Sequence, residues 1–579
     1  MTSKFHTCVR FASSASAVPL TSARLSRILA ATARAACASL LISFSLGACG
    51  GGGGGGGGGS DSVVPPVVVP PVLQAVDTSS VPQTVTASAL QASWRDGVFM
   101  EIFVRAYQDS NGDGIGDLRG LTQRLDYLKS LGVTGLWLMP VNPSQDGDHG
   151  YAVKDYRAIA PEYGTMADFD ELLKQAHQRG IGIIIDYVIN HSAAQHPAFV
   201  NAAGSSSNAF RDWYIWQDFS PSGWSIYGGN PWRNSTFGSY FAGFSVTMPD
   251  FNLKNNGVLA WHQDNLRFWL NRGVDGFRFD AVGNLVENGP AAWENQPENH
   301  VVMAGVQATL SPYSNRFMVC EAPAAPLRFA QPDSCGSSFA FGYQSDLVRA
   351  AQGSVADIAR IATYWSTAPA GMVGFASNHD SFAGQRLFDQ LGGDQKRMQL
   401  AAATYLLQTR SPFIYYGEEL GMAGAASLSG DAKLRTPMSW TNDSVRTGFT
   451  TGQPFRALSS NLANANVALQ DGDPSSLLNF YRSIIALRQS LPSLQRGAYQ
   501  AASSSGALMS FQRVLGVERT LVAFNYGASG GVLQARGLAS GAKLRRLWPT
   551  GGGDLLADAG GSVDVALPGQ SVAVFAVVP

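Results

Sequence analysis

The chain has almost no net charge: 41 Lys and Arg stand against 42 Asp and Glu, leaving −1 over 579 residues. Gripping nucleic acid through its phosphates needs a basic field, and this sequence offers none, so nucleic acid is excluded as a partner. Cysteine is equally scarce. Of the five cysteines, Cys8, Cys37 and Cys49 fall within the first fifty residues, which leaves the remainder of the chain only Cys320 and Cys335. In an oxidising compartment those two are expected to close a disulfide, with two buried free thiols as the other reading. No glycine-rich phosphate fingerprint follows the first apolar run, which argues against a doubly wound dinucleotide-binding sheet.

What the sequence does hold is apolar and aromatic matter: 45% hydrophobic residues, with 30 Phe, 18 Tyr and 12 Trp, enough for a large core. The first ninety residues are built differently. Arg24, Arg27 and Arg34 precede a small, apolar run that ends in Leu46-Gly47-Ala48-Cys49, and ten glycines and the stretch VVPPVVVPPV follow. A basic region, an apolar segment and small residues at a cleavage point make a secretory signal. The ending resembles the lipobox of bacterial lipoproteins. That resemblance implies a signal peptide over 1–48, lipidation at Cys49, a Gly/Pro-rich tether over 49–92 and attachment to the bacterial cell envelope, at the outer membrane or its periplasmic face.

From Gly97 onward short apolar runs alternate with helical patterns. The runs are VFMEIFV, TGLWLMP, IGIIIDYV, GFRFDAV, FMVCEAP, GFASNHD and FIYYGEE, with a weaker one at Phe339–Tyr343. Between them, stretches such as LTQRLDYLKSLG and FDELLKQAHQRG repeat apolar residues at three- and four-residue spacing and stop at glycine. Strands buried on both faces read as continuous apolar runs, so eight such units predict a parallel (β/α)₈ barrel, an α/β fold. The expected limits are 93–490 for the barrel, with an inserted domain over about 192–252 after the third strand, and 491–579 for a C-terminal antiparallel β-sandwich. Asp186, His191, Arg278, Asp280, Glu321, His379 and Asp380 stand just beyond predicted strands, and in a barrel those ends converge on one mouth.

The segments DYVINH, GFRFDAV, CEAP and SNHD resemble, in that order, the four signature regions of glycoside hydrolase family 13, the α-amylase family, and MPDFN (Met248–Asn252) resembles its fifth. The MPDFN form is similar to the group between oligo-1,6-glucosidases and neopullulanases. The resemblance implies Asp280 as nucleophile, Glu321 as acid/base and Asp380 as the third carboxylate. It implies that His191 and His379 bond hydroxyls of the bound glucose, and that Tyr151 stacks beneath it. Arg278, two residues before Asp280 on the same strand face, is expected to keep Asp280 ionised and lower its pKa, whereas Glu321 must start protonated. Asp148 resembles a carboxylate that pairs with an Arg to close the donor end in exo-acting relatives, and Arg386 is the expected partner. After Asp280, Gly283 and Asn284 stand where many relatives carry Lys-His, which leaves the acceptor side undefined.

The stretch DSNGDGIGDLRG, Asp109 to Gly120, alternates oxygen-bearing side chains with glycines but lacks the closing Glu of an EF-hand. By resemblance it is a structural calcium loop with Asp109, Asn111, Asp113, Asp117 and the Ile115 carbonyl as ligands. The reading of the whole is a lipid-anchored, monomeric, calcium-containing hydrolase of α-amylase type, cleaving α-1,4-glucans or maltooligosaccharides with retention. The alternatives are an α-glucosidase or transglycosylase on short α-glucosides, and a glucan-binding protein without catalysis.

Overall fold

The structure, a computed structural model, describes residues 74–84 and 87–578. The signal, Cys49 and most of the tether lie outside them. Among the described residues no helix is long and apolar enough to cross a membrane.

Eight short parallel strands form the barrel: Val98–Ile102, Val133–Leu138, Gly182–Tyr187, Gly276–Phe279, Phe317–Cys320, Ser338–Phe339, Met372–Val373 and Phe413–Tyr415. The first seven pair in chain order, and the eighth pairs with the first. The last gap is bridged by Phe375 against Phe413, with the Phe413 amide donating to the Gly374 carbonyl at 2.8 Å. The seventh strand lies earlier than the sequence predicts. Met372–Val373 is the strand, and Gly374–Asp380 leaves it as a loop that climbs to the mouth.

Side chains alternate along each strand, and this alternation builds the interior in layers. Phe99, Trp137, Ile184, Val319, Phe339 and Phe413 plug the lower barrel as one buried cluster. Two residues further along their strands, Phe99 gives way to Glu101 and Ile184 to Asp186, so the inward positions turn from apolar to charged towards the C-terminal ends. Register then sets Asp186 beside Arg278 and Arg278 beside Val319. Close approach matters once: a Cβ on Gly276 would lie 1.8 Å from the Phe317 carbonyl oxygen, so only glycine lets the fourth and fifth strands meet.

The fifth crossover is abbreviated. Between Cys320 and Ser338 there is a single helical turn, Pro326–Phe329, and a Cys320–Cys335 disulfide ties the loop back to its strand. After the third strand the chain makes an insert with a helix, Pro197–Gly204, and a small antiparallel sheet of Trp216–Gln217, Gly238–Phe241 and Trp232–Ser235. Beyond helix Leu477–Ser490 come a six-stranded antiparallel sheet and a two-stranded one. Strict alternation gives the large sheet two apolar faces. Leu521, Ala523, Ala573 and Phe575 pack on the small sheet, whereas Val522, Phe524, Val572 and Val574 join the main core of the barrel.

Candidate active site

One guanidinium organises the mouth. Arg278, 1% exposed, gives Nη1 to Asp186 at 2.8 Å and to Asp280 Oδ1 at 2.8 Å, and Nη2 to Glu321 Oε2 at 2.6 Å. Its guanidinium lies over the rings of Trp137 and Tyr151. Although burial works against the cation, Asp186, Tyr151, Glu321 and Asp280 together push the Arg278 pKa up. The fourth-strand loop turns sharply at Ala281, which sits at φ 49°. A left-handed alanine costs about 1–2 kcal/mol, and here it aims the Ala281 amide at Glu321 Oε2, 3.1 Å away.

The free atoms are informative. Asp280 uses Oδ1 for Arg278, which leaves Oδ2 for attack on a sugar carbon. Both hydrogen bonds to Glu321 fall on Oε2, which leaves Oε1 to carry a proton. Asp380 completes the set from the other side, accepting from Arg435 Nη2 at 2.9 Å and lying 3.1 Å from His379 Nε2. His379 stacks against Tyr151 with ring centres 5.6 Å apart, and Tyr151 donates to Asp186 at 2.9 Å. Among the described residues the buried Nε2 of His191 has no hydrogen-bond partner, and His191 lines the cavity. Burial holds the His191 pKa at about 4, so the ring is neutral and able to bond a sugar hydroxyl.

Four carboxyls, Asp186, Asp280, Glu321 and Asp380, thus share two guanidiniums, Arg278 and Arg435. Too little positive charge is present to ionise them all in a buried place. Burial pushes Asp280 well above the usual carboxylate range, with Glu321, Asp186 and Asp380 adding to it and Arg278 opposing. This corrects the expectation that Arg278 would lower the Asp280 pKa: desolvation outweighs the one guanidinium, which two other acids, Asp186 and Glu321, also use. Burial likewise pushes Asp380 up to about 7. A cluster that retains a proton near neutrality suits a reaction that needs one acid and one ionised carboxylate at once.

A cavity of about 660 Å³ opens over these groups. Its wall mixes the polar His149, His191 and Arg435 with the apolar Phe244, Met248 and Phe382 around the three carboxyls Asp280, Glu321 and Asp380. Met248 belongs to MPDFN, whose Asp250 accepts from Asn190 at 3.1 Å and so pins the exit of the insert beside His191.

Asp148 does have an arginine partner, but not the expected one. Arg456 Nη2 meets Asp148 Oδ1 at 2.5 Å, and Arg456 also reaches the Arg435 carbonyl. Arg386 is 1% exposed and turned inward, giving its Nε and Nη1 to the carbonyls of Leu434 and Tyr416, each at 2.8 Å, and lying over the Tyr415 and Tyr416 rings. Arg386 thus supports the segment that leads into Arg435, and the ion pair of Asp148 is made by Arg456. Arg435 and Arg456 were missed by sequence reasoning because they lie in irregular loops after the eighth strand, where neither periodicity nor a strand end marks them.

The acidic loop presents a different picture. Asp109 accepts the amides of Asn111, Gly112 and Gly114 and the Thr450 hydroxyl, and Asp117 accepts from Ser110 and caps the following helix at Gly120. Asn111 Oδ1 accepts the Asp113 amide, and Asp113 Oδ1 the Ile115 amide. Among the described residues no three His, Cys, Asp or Glu side chains are grouped to hold a metal ion. In this arrangement the side-chain oxygens of Asp109, Asn111, Asp113 and Asp117 are each taken up by amides of the loop itself.

Comparison with known proteins places these features. Residues 101–497 match the family described as the alpha-amylase catalytic domain. The chain is 30% identical over 510 residues to the oligo-1,6-glucosidase of Parageobacillus thermoglucosidasius, spanning 75% of this chain and 90% of that protein. It is 32% identical over 442 residues to alpha-amylase 3 of Dictyoglomus thermophilum, spanning 75% of this chain and 85% of that one. Among solved structures, the alpha-amylase from H. orenii superposes with a TM-score of 0.72 at 30% identity, covering 83% of this chain and 99% of the other.

Proposed function

We propose that this chain, which belongs to the alpha-amylase family of glycoside hydrolases, is a retaining exo-acting α-glucosidase that works on short α-glucosides and maltooligosaccharides from one end. The α-amylase reading made from the sequence is the second choice. One observation carries the preference: the Asp148–Arg456 ion pair joins the loop after the second strand to the loop after the eighth, beside His149 and Arg435 of the cavity wall. A glucan running through an endo-acting cleft would need that side open. The reading is in keeping with the relatives named oligo-1,6-glucosidase and alpha-glucosidase.

In this mechanism a terminal glucose lies against Tyr151, with His191, His379 and Asp380 on its hydroxyls. Asp280 Oδ2 attacks the anomeric carbon while Glu321 Oε1 gives its proton to the departing oxygen. Arg278 bonds both residues and lets negative charge pass from Asp280 to Glu321 without solvent reorganisation. Water, deprotonated by Glu321, then releases glucose in its original α configuration. Activity on maltose and maltotriose exceeding that on starch is expected, and Arg456→Ala should shift products from glucose towards longer sugars. Rapid loss of starch viscosity in the parent, with Arg456→Ala unchanged, would return the reading to an endo-acting amylase.

Two further proposals rest on the sequence pattern. Lipidation at Cys49 would hold the enzyme to the cell envelope, in which case Cys49→Ala releases it into the soluble fraction and abolishes fatty-acid labelling. Calcium binding by the Asp109–Asp117 loop is supported by its alternating oxygens and glycines, and it requires Asp109 and Asp117 to exchange amide bonds for the ion.

A further inference from the structure

Glu101 is a carboxyl that the mechanism above leaves unused. It occupies the last inward position of the first strand, 1% exposed, and among the described residues its side chain has one hydrogen-bond partner, His379 Nδ1 at 2.5 Å. Proton accounting around His379 is unusually tight. Nε2 faces two oxygens, the Tyr151 hydroxyl at 2.8 Å and Asp380 Oδ2 at 3.1 Å. Tyr151 has a single proton and an acceptor for it in Asp186, while Arg278 Nη1 donates to the Tyr151 oxygen at 3.2 Å. Above about pH 7, the value to which burial lifts its pKa, Asp380 is ionised and can only accept. Both oxygens are served when Nε2 carries the hydrogen.

That assignment constrains the other nitrogen. In a neutral ring with hydrogen on Nε2, Nδ1 is a bare lone pair, and a carboxylate held 2.5 Å from it would set lone pair against lone pair. The contact is favourable only if Glu101 brings the proton or if the ring is an imidazolium. His379 is 0% exposed, with Arg278 and Arg435 nearby, a poor place for a further cation. Burial pushes the Glu101 pKa well up and the His379 pKa well down, in agreement with that accounting. The charged and titratable groups acting on Glu101 are Arg278, Asp380, Asp186 and Arg435.

We propose that Glu101 is a positioning residue that, as a neutral carboxylic acid, donates to His379 Nδ1 and so fixes the Nε2–H tautomer of His379 towards Asp380 and the bound sugar. A histidine aimed at a sugar hydroxyl is useful only if its donor atom does not alternate between two tautomers, and Glu101 removes that choice. The inference rests on the glycosidase reading for its catalytic consequence but not for the tautomer itself.

The test is ¹⁵N spectroscopy of the protein labelled in its imidazoles, with His379 assigned by its loss in His379→Gln. A neutral ring protonated on Nε2 is expected at about pH 8, where Asp380 is ionised. An Nδ1–H tautomer or an imidazolium overturns the proposal, and since the spectrum needs no turnover, a wrong substrate assignment would leave this readout intact. Kinetics supply the second arm. Glu101→Gln keeps a donor at Nδ1 and should hold kcat within about threefold, whereas Glu101→Met removes it and should lower kcat by about 10²-fold with little change in KM. A folded Glu101→Met enzyme with parental kcat also overturns it, and where that variant fails to fold the parent's spectrum decides.

Discussion

Two sets of carboxylates, one at the barrel mouth and one in the loop from Asp109 to Asp117, are made of the same residue types and behave in opposite ways. In the loop, the buried Asp109 and Asp117 are satisfied by backbone amides and hydroxyls, donors that are fixed and need no charge. At the mouth, Asp186, Asp280 and Glu321 divide one guanidinium and keep atoms free towards a cavity. The first arrangement holds a shape. The second stores an imbalance of charge that a substrate can relieve. Partner type, rather than acidity or burial, separates structural from reactive acids here.

The largest effect that would break this comparison concerns Asp280 and Glu321. Glu321→Gln should lose about 10²–10⁴-fold in hydrolysis, and Asp280→Asn at least as much, while the melting temperature stays close to the parent's because each amide keeps the shape of the acid and an acceptor oxygen for Arg278. Near-parental turnover by Glu321→Gln contradicts the assignment. Asp109→Ala should behave inversely, costing about 2–4 kcal/mol of stability as its amides lose their acceptor, with turnover kept below the lowered melting point. Thermal or denaturant melts beside a rate measurement decide between them.

Asp380 supplies a pH test. Its pKa is raised from 3.8 to about 7 in the folded protein, so the native state holds a proton that the unfolded chain releases. Its contribution to stability is therefore full below about pH 4 and is lost as pH rises through about 7. Substrate-free Asp380→Asn should show a shallower fall in melting temperature over that range than the parent, and parallel curves would remove the argument. The smallest expected effect is that of calcium. A loop already satisfied by its own amides should gain only a modest rise in melting temperature from the ion, and Asp113→Ala should abolish that rise, whereas identical melts with calcium and with chelator would end the calcium proposal.

Much of the mouth was legible because strand periodicity and motif order both fall on it. Glycine-bounded apolar runs located seven strands, and Arg278, Asp280, Glu321, His379 and Asp380 come together where those runs end. The seventh strand was misplaced because GFASNHD is apolar at its start but is spent on lifting His379 and Asp380, not on pairing. Arg435 and Arg456 were invisible, since an arginine in an irregular loop has no spacing to betray its target. Arg386 was chosen for its sequence position, and only its hydrogen bonds to the Leu434 and Tyr416 carbonyls show that its guanidinium serves the backbone instead. The Asp280 pKa was misjudged for a related reason: a sequence shows a neighbouring Arg but not how many acids share it.

The most direct test is a proton NMR time course of maltoheptaose digestion, because it reads the chain end attacked and the anomer released together. The account predicts that glucose is the first new sugar and that it appears as the α anomer before mutarotation. A first product in the β configuration, or an early spread of maltose and longer fragments, would contradict it.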